Sequence, residues 1–87
     1  MNEIENLKRK AANLRLVLER YATMDSYAEM VLRNMQPVFN DIEKGKVVPP
    51  VENEFQWYFF NTESPLFGYL DLGEAAAQYS RAMELWK

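Results

Sequence analysis

The chain has 87 residues, of which 48% are hydrophobic and 14% aromatic, and its formal net charge is −3. This length suits one domain, residues 1–87, with a modest core, and so much apolar surface excludes a disordered chain. The lack of cysteine excludes a disulfide framework and thiolate sites. No apolar run suits a signal peptide or approaches the roughly 18 residues of a membrane span, so we expect a cytoplasmic protein with no membrane association.

Charge is unevenly distributed along the chain. Residues 1–20 hold five bases and three acids, whereas residues 21–87 hold five bases and ten acids. A chain with net negative charge repels nucleic acid at long range, and a run of charges on a helix is usually a solvated face. We therefore do not expect nucleic-acid binding, for which the candidate residues would be Lys8, Arg9, Arg15 and Arg20.

The first predicted element is a helix over residues 3–22. Asn2 and Glu5 have the spacing of a capping box, and apolar residues then recur at intervals of three and four. The resulting seam is typical of a coiled coil, so it predicts helix packing or self-association. It consists of Ile4, Leu7, Ala11, Leu14, Leu18 and Tyr21.

A second helix is predicted over residues 26–44. Asp25 falls at a core position of the first seam, where an unpaired buried carboxylate is costly, and Ser26 with Glu29 repeats the capping-box spacing. We therefore expect the chain to turn back here. One continuous helix of about forty residues is the alternative, because the apolar seam continues in phase through Ala28, Leu32, Met35, Phe39 and Ile42.

Prolines mark the end of this second helical pattern. Pro37 lies inside it, and we expect a kink there, with a new helix beginning at Pro37 as the alternative. Lys44 and Gly45 are a cation and a glycine of the kind that ends a helix. Residues 46–51 contain two prolines without amide donors, so they are predicted to form an extended connector.

Seven of the twelve aromatic residues fall within residues 55–69. Acids at Glu52 and Glu54 suit the first turn of a helix over residues 52–61, with a strand as the alternative. On a helix, three of the rings share one face and two lie off it. The first group is Phe55, Tyr58 and Phe59, and the second is Trp57 and Phe60.

The last predicted elements are a short turn and a helix. Ser64 and Pro65 suit the opening of a turn that ends at Gly68, and Asp71 caps a helix over residues 72–86. Small residues on this helix allow close approach of Phe55, Phe59 and Tyr69. Together these elements predict an all-α fold, a small helical bundle of four segments. The apolar face of the last helix is Leu72, Ala75, Ala76, Tyr79, Met83 and Trp86.

The residue types argue against catalysis. Histidine is absent along with cysteine, which removes the commonest general base, the commonest metal ligand and any thiol nucleophile. Three isolated glycines form no phosphate-binding loop. Acids beside Trp57 would permit an acid–base pair, but their capping and first-turn positions explain them better. We expect no enzymatic activity, no cofactor and no metal.

The aromatic segment, residues 52–69, carries the functional prediction. One alternative is internal packing beneath the turn at residues 65–69; the other is a partner surface, because aromatic residues are enriched at interface hot spots. A rim of acids around rings is an ordinary interface composition. The predicted contact residues are Trp57, Phe60, Phe67 and Tyr69, ringed by Glu52, Glu54 and Glu63.

The predicted function is non-enzymatic protein–protein interaction through this segment. Two kinds of partner fit: a second copy, giving a homodimer, or a larger protein that the chain binds and inhibits. The alternative function is small-molecule binding in a pocket between the aromatic segment and the C-terminal helix.

Overall fold

The computed structural model describes residues 2–85, and within them it contains four α-helices and no β-strand. They are α1 (Glu3–Ala22), α2 (Ser26–Glu43), α3 (Gln56–Phe60) and α4 (Leu70–Glu84). The predicted all-α bundle of four segments is confirmed, while the end of the predicted helix 72–86, with Trp86, lies outside the described residues. None of these helices is both long enough and apolar enough to cross a membrane.

The core lies among the three long helices. Helix α1 packs against both α2 and α4, and Phe39 of α2 meets Tyr79 of α4 edge to face with ring centroids 6.1 Å apart. The α1 seam faces inward, so it is not available to a second copy. The core residues contributed by α1 are Leu7, Ala11, Leu14, Val17 and Leu18.

Helices α1 and α2 are separate, so the continuous-helix alternative is wrong. Asn2 caps α1, its Oδ1 accepting from the Ile4 amide at 2.8 Å. The cap of α2 is Asp25 rather than Ser26, since its Oδ1 accepts from the amides of Tyr27 at 2.9 Å and Ala28 at 3.4 Å. The carboxylate that the sequence places on a core seam thus satisfies the first amides of α2.

Helix α2 continues through Pro37 and ends where the sequence predicts. A new helix does not begin at Pro37, whose side chain is exposed; a kink there stays a prediction. Gly45 has a φ of 76°, and its amide donates to Ile42 at 3.0 Å while the Lys46 amide donates to Asp41 at 2.9 Å. These two bonds form a Schellman motif that satisfies the last carbonyls of α2.

Helix α3 is shorter than the predicted helix 52–61. The Asn53 amide donates to the Glu84 carboxylate of α4 at 2.8 Å, and the Asn53 side chain accepts from the Phe55 amide at 3.0 Å. Residues 52–55 therefore form a turn held to α4, and the helix begins only at Gln56. The Gln56 side chain donates to the same Glu84 oxygen at 3.0 Å.

The predicted cap of α4 is also displaced. The helix begins at Leu70 with Tyr69 at its cap position, and Asp71 lies in the first turn. The Asp71 carboxylate accepts from the Leu72 amide at 2.9 Å and from the hydroxyl of Tyr21, at the end of α1, at 2.5 Å.

Residues 46–69 run along α2 and α4 and cover the core there. The Val51 amide donates to the Met83 carbonyl of α4 at 2.8 Å. On the other side, Tyr58 meets Tyr27 of α2 edge to face, and its hydroxyl accepts from Asn34 at 3.2 Å. Residues 46–51 form a connector outside the helices, as predicted, but it bends at residues 49–50, so it is not extended throughout. These contacts fix α3 on the bundle.

Candidate interaction surface

The rings of α3 divide as helical geometry predicts. Phe59 is buried and both Phe55 and Tyr58 are half-buried, whereas Trp57 is 49% exposed and Phe60 39% exposed. Trp57 and Phe60 are three residues apart, so they share the outer face of the helix. The structure therefore leaves two large rings on the surface although their neighbours fill the core.

A turn after α3 adds a third exposed ring. The Ser64 hydroxyl donates to the Tyr58 carbonyl at 2.6 Å and accepts from the Leu66 amide at 3.3 Å, which ties residues 61–68 back to α3. Leu66 points inward and is 1% exposed, whereas Phe67 is 46% exposed. The short turn predicted at Ser64 is thus present, and it presents Phe67 outward.

Tyr69 contributes to the fold rather than to the exposed surface. Its ring stacks on Tyr21 with centroids 4.2 Å apart, and its hydroxyl donates to Asp25 at 2.7 Å. This hydrogen bond raises the pKa of Tyr69, to which partial burial adds, and it lowers the pKa of Asp25. Of the four aromatic residues predicted to contact a partner, Tyr69 is the one with two internal partners.

The acids predicted around the rings are all exposed: Glu52, Glu54 and Glu63. Residues 47–80, which carry these acids, contain five acids and neither lysine nor arginine. The bases of α1 lie in a different environment. Lys8 contacts Glu5 at 3.4 Å, and Arg15 contacts Glu19 at 3.9 Å and Glu43 at 3.7 Å.

Two further exposed apolar residues lie at the end of the bundle, where α1 ends and α4 begins. Met24 is 75% exposed and Leu70 is 85% exposed. Met24 lies between Tyr21 and Asp25 in the chain, and Leu70 lies between Tyr69 and Asp71. Tyr21 donates to Asp71, and Tyr69 donates to Asp25, so these hydrogen bonds bring the two segments together. Sequence analysis did not single out Leu70, which falls outside the predicted helix over residues 72–86.

The pocket predicted between the aromatic segment and α4 is small. Its volume is about 200 Å³, below the roughly 300–1,000 Å³ typical of ligand sites. An apolar groove of about 280 Å³ lies elsewhere, between α1 and α2. No group of three or more candidate metal ligands occurs in residues 2–85. The pocket of about 200 Å³ between the aromatic segment and α4 is lined by Val38, Val47, Val51, Glu52, Glu54, Phe55 and Met83.

Comparison with protein-family models, with curated proteins and with solved structures finds no match to this chain. Functional inference therefore rests on the surface itself.

Proposed function

We propose that this chain is a non-enzymatic protein-binding module that docks through an aromatic surface formed by Trp57, Phe60 and Phe67. The observation that supports this most strongly is that these three large rings are exposed while Phe59 and Leu66, beside them in the chain, are buried. The core is closed without them, so their exposure is not a requirement of packing. Large aromatic side chains dominate binding energy where they fill a partner's pocket.

The charge around the rings indicates the kind of partner. Glu52, Glu54 and Glu63 are exposed, and the stretch of residues 47–80 that carries them contains no lysine or arginine. Two copies meeting face to face through this surface would oppose like charges, which is unfavourable. The partner is therefore a larger protein with an apolar groove bordered by lysine and arginine side chains.

Replacement of the exposed indole tests the aromatic contribution. We expect Trp57→Ala to weaken binding of the partner at least about 30-fold, the equivalent of a 2 kcal/mol hot spot, with an unchanged circular dichroism spectrum. Val48→Ala is the matched control, because Val48 is 60% exposed on the connector outside the surface. The affinities are measured by titration calorimetry with the partner recovered on the immobilised full chain.

The acidic rim is tested separately. Replacing Glu52, Glu54 and Glu63 by glutamine keeps their size, so we expect slower association and a weaker dependence on salt. If Trp57→Ala binds as well as the unmodified chain, or loses its helical signal, the assignment of this surface is wrong.

A further inference from the structure

A second apolar feature lies on α1, away from the aromatic surface. The groove between α1 and α2 has a volume of about 280 Å³, and Leu16 stands in its wall with 49% of its surface exposed. The small side chains of two alanines on α1 leave space for it. Its apolar lining is Ala11, Ala12, Leu16, Phe39 and Ile42, and its charged lining is Lys8, Arg15, Glu19 and Glu43.

The charged residues on the α1 wall of this groove follow one another along a single face of the helix. Lys8, Ala12, Arg15 and Glu19 follow one another at intervals of four, three and four, so they share one face of α1. Arg15, in the middle, contacts Glu43 at 3.7 Å and Glu19 at 3.9 Å, so Glu43 can still neutralise it when Glu19 faces a second copy. Lys8 meets Glu5 in an exposed pair, an arrangement that contributes little to stability. The face thus has a base at one end and an acid at the other, and it complements its own reversed copy.

We propose that this groove is an interface between two copies of the chain, packed antiparallel through α1. A two-fold axis that runs between the two α1 helices, at the level of residues 13 and 14, places Lys8 opposite Glu19 of the second copy. The same axis places Leu16 beside the exposed Ala12 of the second copy, so the largest apolar side chain of each copy meets a small one. Each contact occurs twice, as in the isologous interfaces of most dimers.

This dimer uses neither the inward seam of α1 nor the aromatic surface. The dimer forms independently of the proposed function. It also supports that function, because one dimer carries two aromatic surfaces, which raises avidity for a repeated or dimeric partner. Association also supplements the modest core of a chain this short.

Sedimentation velocity of the full chain tests the interface. We expect a dimer at micromolar concentration, and we expect Leu16→Glu to raise the dissociation constant at least about tenfold, since it places a carboxylate in each apolar groove. The matched control is Val48→Glu, which adds the same charge at an exposed valine on the connector and leaves the dimer intact. The proposal is overturned if the unmodified chain is strictly monomeric at concentrations up to about 100 µM.

Charge-reversed variants test the antiparallel pairing. Lys8→Glu opposes Glu19 of the second copy, and Glu19→Lys opposes its Lys8, so each variant alone should dimerise weakly. An equimolar mixture restores both pairs, and we expect it to form a heterodimer as tight as the unmodified dimer. A mixture that associates no better than either variant alone overturns the pairing.

Cysteine cross-linking tests the position of the axis, since the chain has no cysteine of its own. The two Ala12 residues would be offset by about 4.5 Å along the helix axis, three residues of rise, so Ala12→Cys should cross-link with a short bis-maleimide. Asn13→Cys is the control, being exposed but turned about 100° further round the helix. Equal cross-linking of both variants contradicts the proposed axis.

Discussion

At the scale of single residues, the hydroxyl of Tyr79 lacks a hydrogen-bond partner within residues 2–85, whereas the hydroxyl of Tyr69 donates to Asp25. Tyr79 is fully buried, burial raises its pKa, and its hydroxyl has no hydrogen-bond partner among residues 2–85. An unpartnered buried hydroxyl opposes folding by about 1–3 kcal/mol. The ring itself is well placed, since it packs against Phe39.

We therefore expect Tyr79→Phe to raise the free energy of unfolding by about 1 kcal/mol, because it removes the hydroxyl and keeps the ring. Tyr69→Phe is the contrasting variant: its hydroxyl donates to Asp25, so its loss should destabilise the chain. Urea denaturation followed by circular dichroism gives both values. If Tyr79→Phe destabilises the chain, the hydroxyl has a partner, such as a buried water.

At the scale of elements, the sequence indicates where helices exist better than where they begin. The three–four spacing of α1 and the Lys44–Gly45 ending of α2 depend on neighbouring residues, and both predictions are confirmed. The start of α3 lies four residues later than predicted, at Gln56, and the start of α4 two residues earlier, at Leu70. Near these starts Glu84 accepts from the Asn53 amide and Asp71 accepts from Tyr21, contacts between residues far apart in the chain that local propensity does not encode.

The junction of α1, α2 and α4 should depend on pH, because two tyrosine–aspartate pairs hold it together. Hydrogen bonds from Tyr69 and Tyr21 lower the pKa of Asp25 and of Asp71 below the ordinary value of 3.8. A carboxyl whose pKa is lowered by folding stabilises the folded state above its unfolded pKa, and that contribution is lost as the pH falls through the folded value.

The variant that lacks both hydroxyls, Tyr21→Phe with Tyr69→Phe, should thus melt below the unmodified chain at pH 7, and the difference should shrink below about pH 4. Thermal melts between about pH 3 and 7 measure it. Tyr58→Phe is the control, since the Tyr58 hydroxyl accepts from the Asn34 amide group, and its effect should not change over this range. A difference between the double variant and the unmodified chain that stays constant across the range would contradict the role of the aspartates.

At the scale of the whole molecule, the exposure of some surface residues can be predicted from the sequence, and that of others cannot. The exposure of Trp57 and Phe60 follows from helical geometry alone, since Phe55, Tyr58 and Phe59 occupy the inner face. The role of Tyr69 and the exposure of Leu70 do not, because they depend on how the start of α4 meets the end of α1. The groove beside Leu16 likewise appears only when α1 and α2 are packed.

The segment that carries the aromatic surface is also part of the core, so we expect it to unfold together with the helices. Leu66 is 1% exposed at the centre of this segment, and Leu66→Ala should lower the free energy of unfolding by about 2–5 kcal/mol. That loss is a large fraction of the roughly 5–15 kcal/mol of a domain. Phe67→Ala, at the neighbouring exposed ring, should change stability by about 0.5 kcal/mol or less.

Two probes distinguish joint from separate unfolding. Trp57 fluorescence reports on the aromatic segment, and it is measured in a Trp86→Phe background so that Trp57 is the single tryptophan. Circular dichroism at 222 nm, a standard helix band, reports on α1, α2 and α4. Because Val51, Asn53 and Gln56 are hydrogen-bonded to α4, the two transitions should coincide in urea, and Leu66→Ala should shift both equally. A fluorescence change that precedes the loss of helix would show instead that the aromatic surface rests on a segment able to detach from an intact three-helix core.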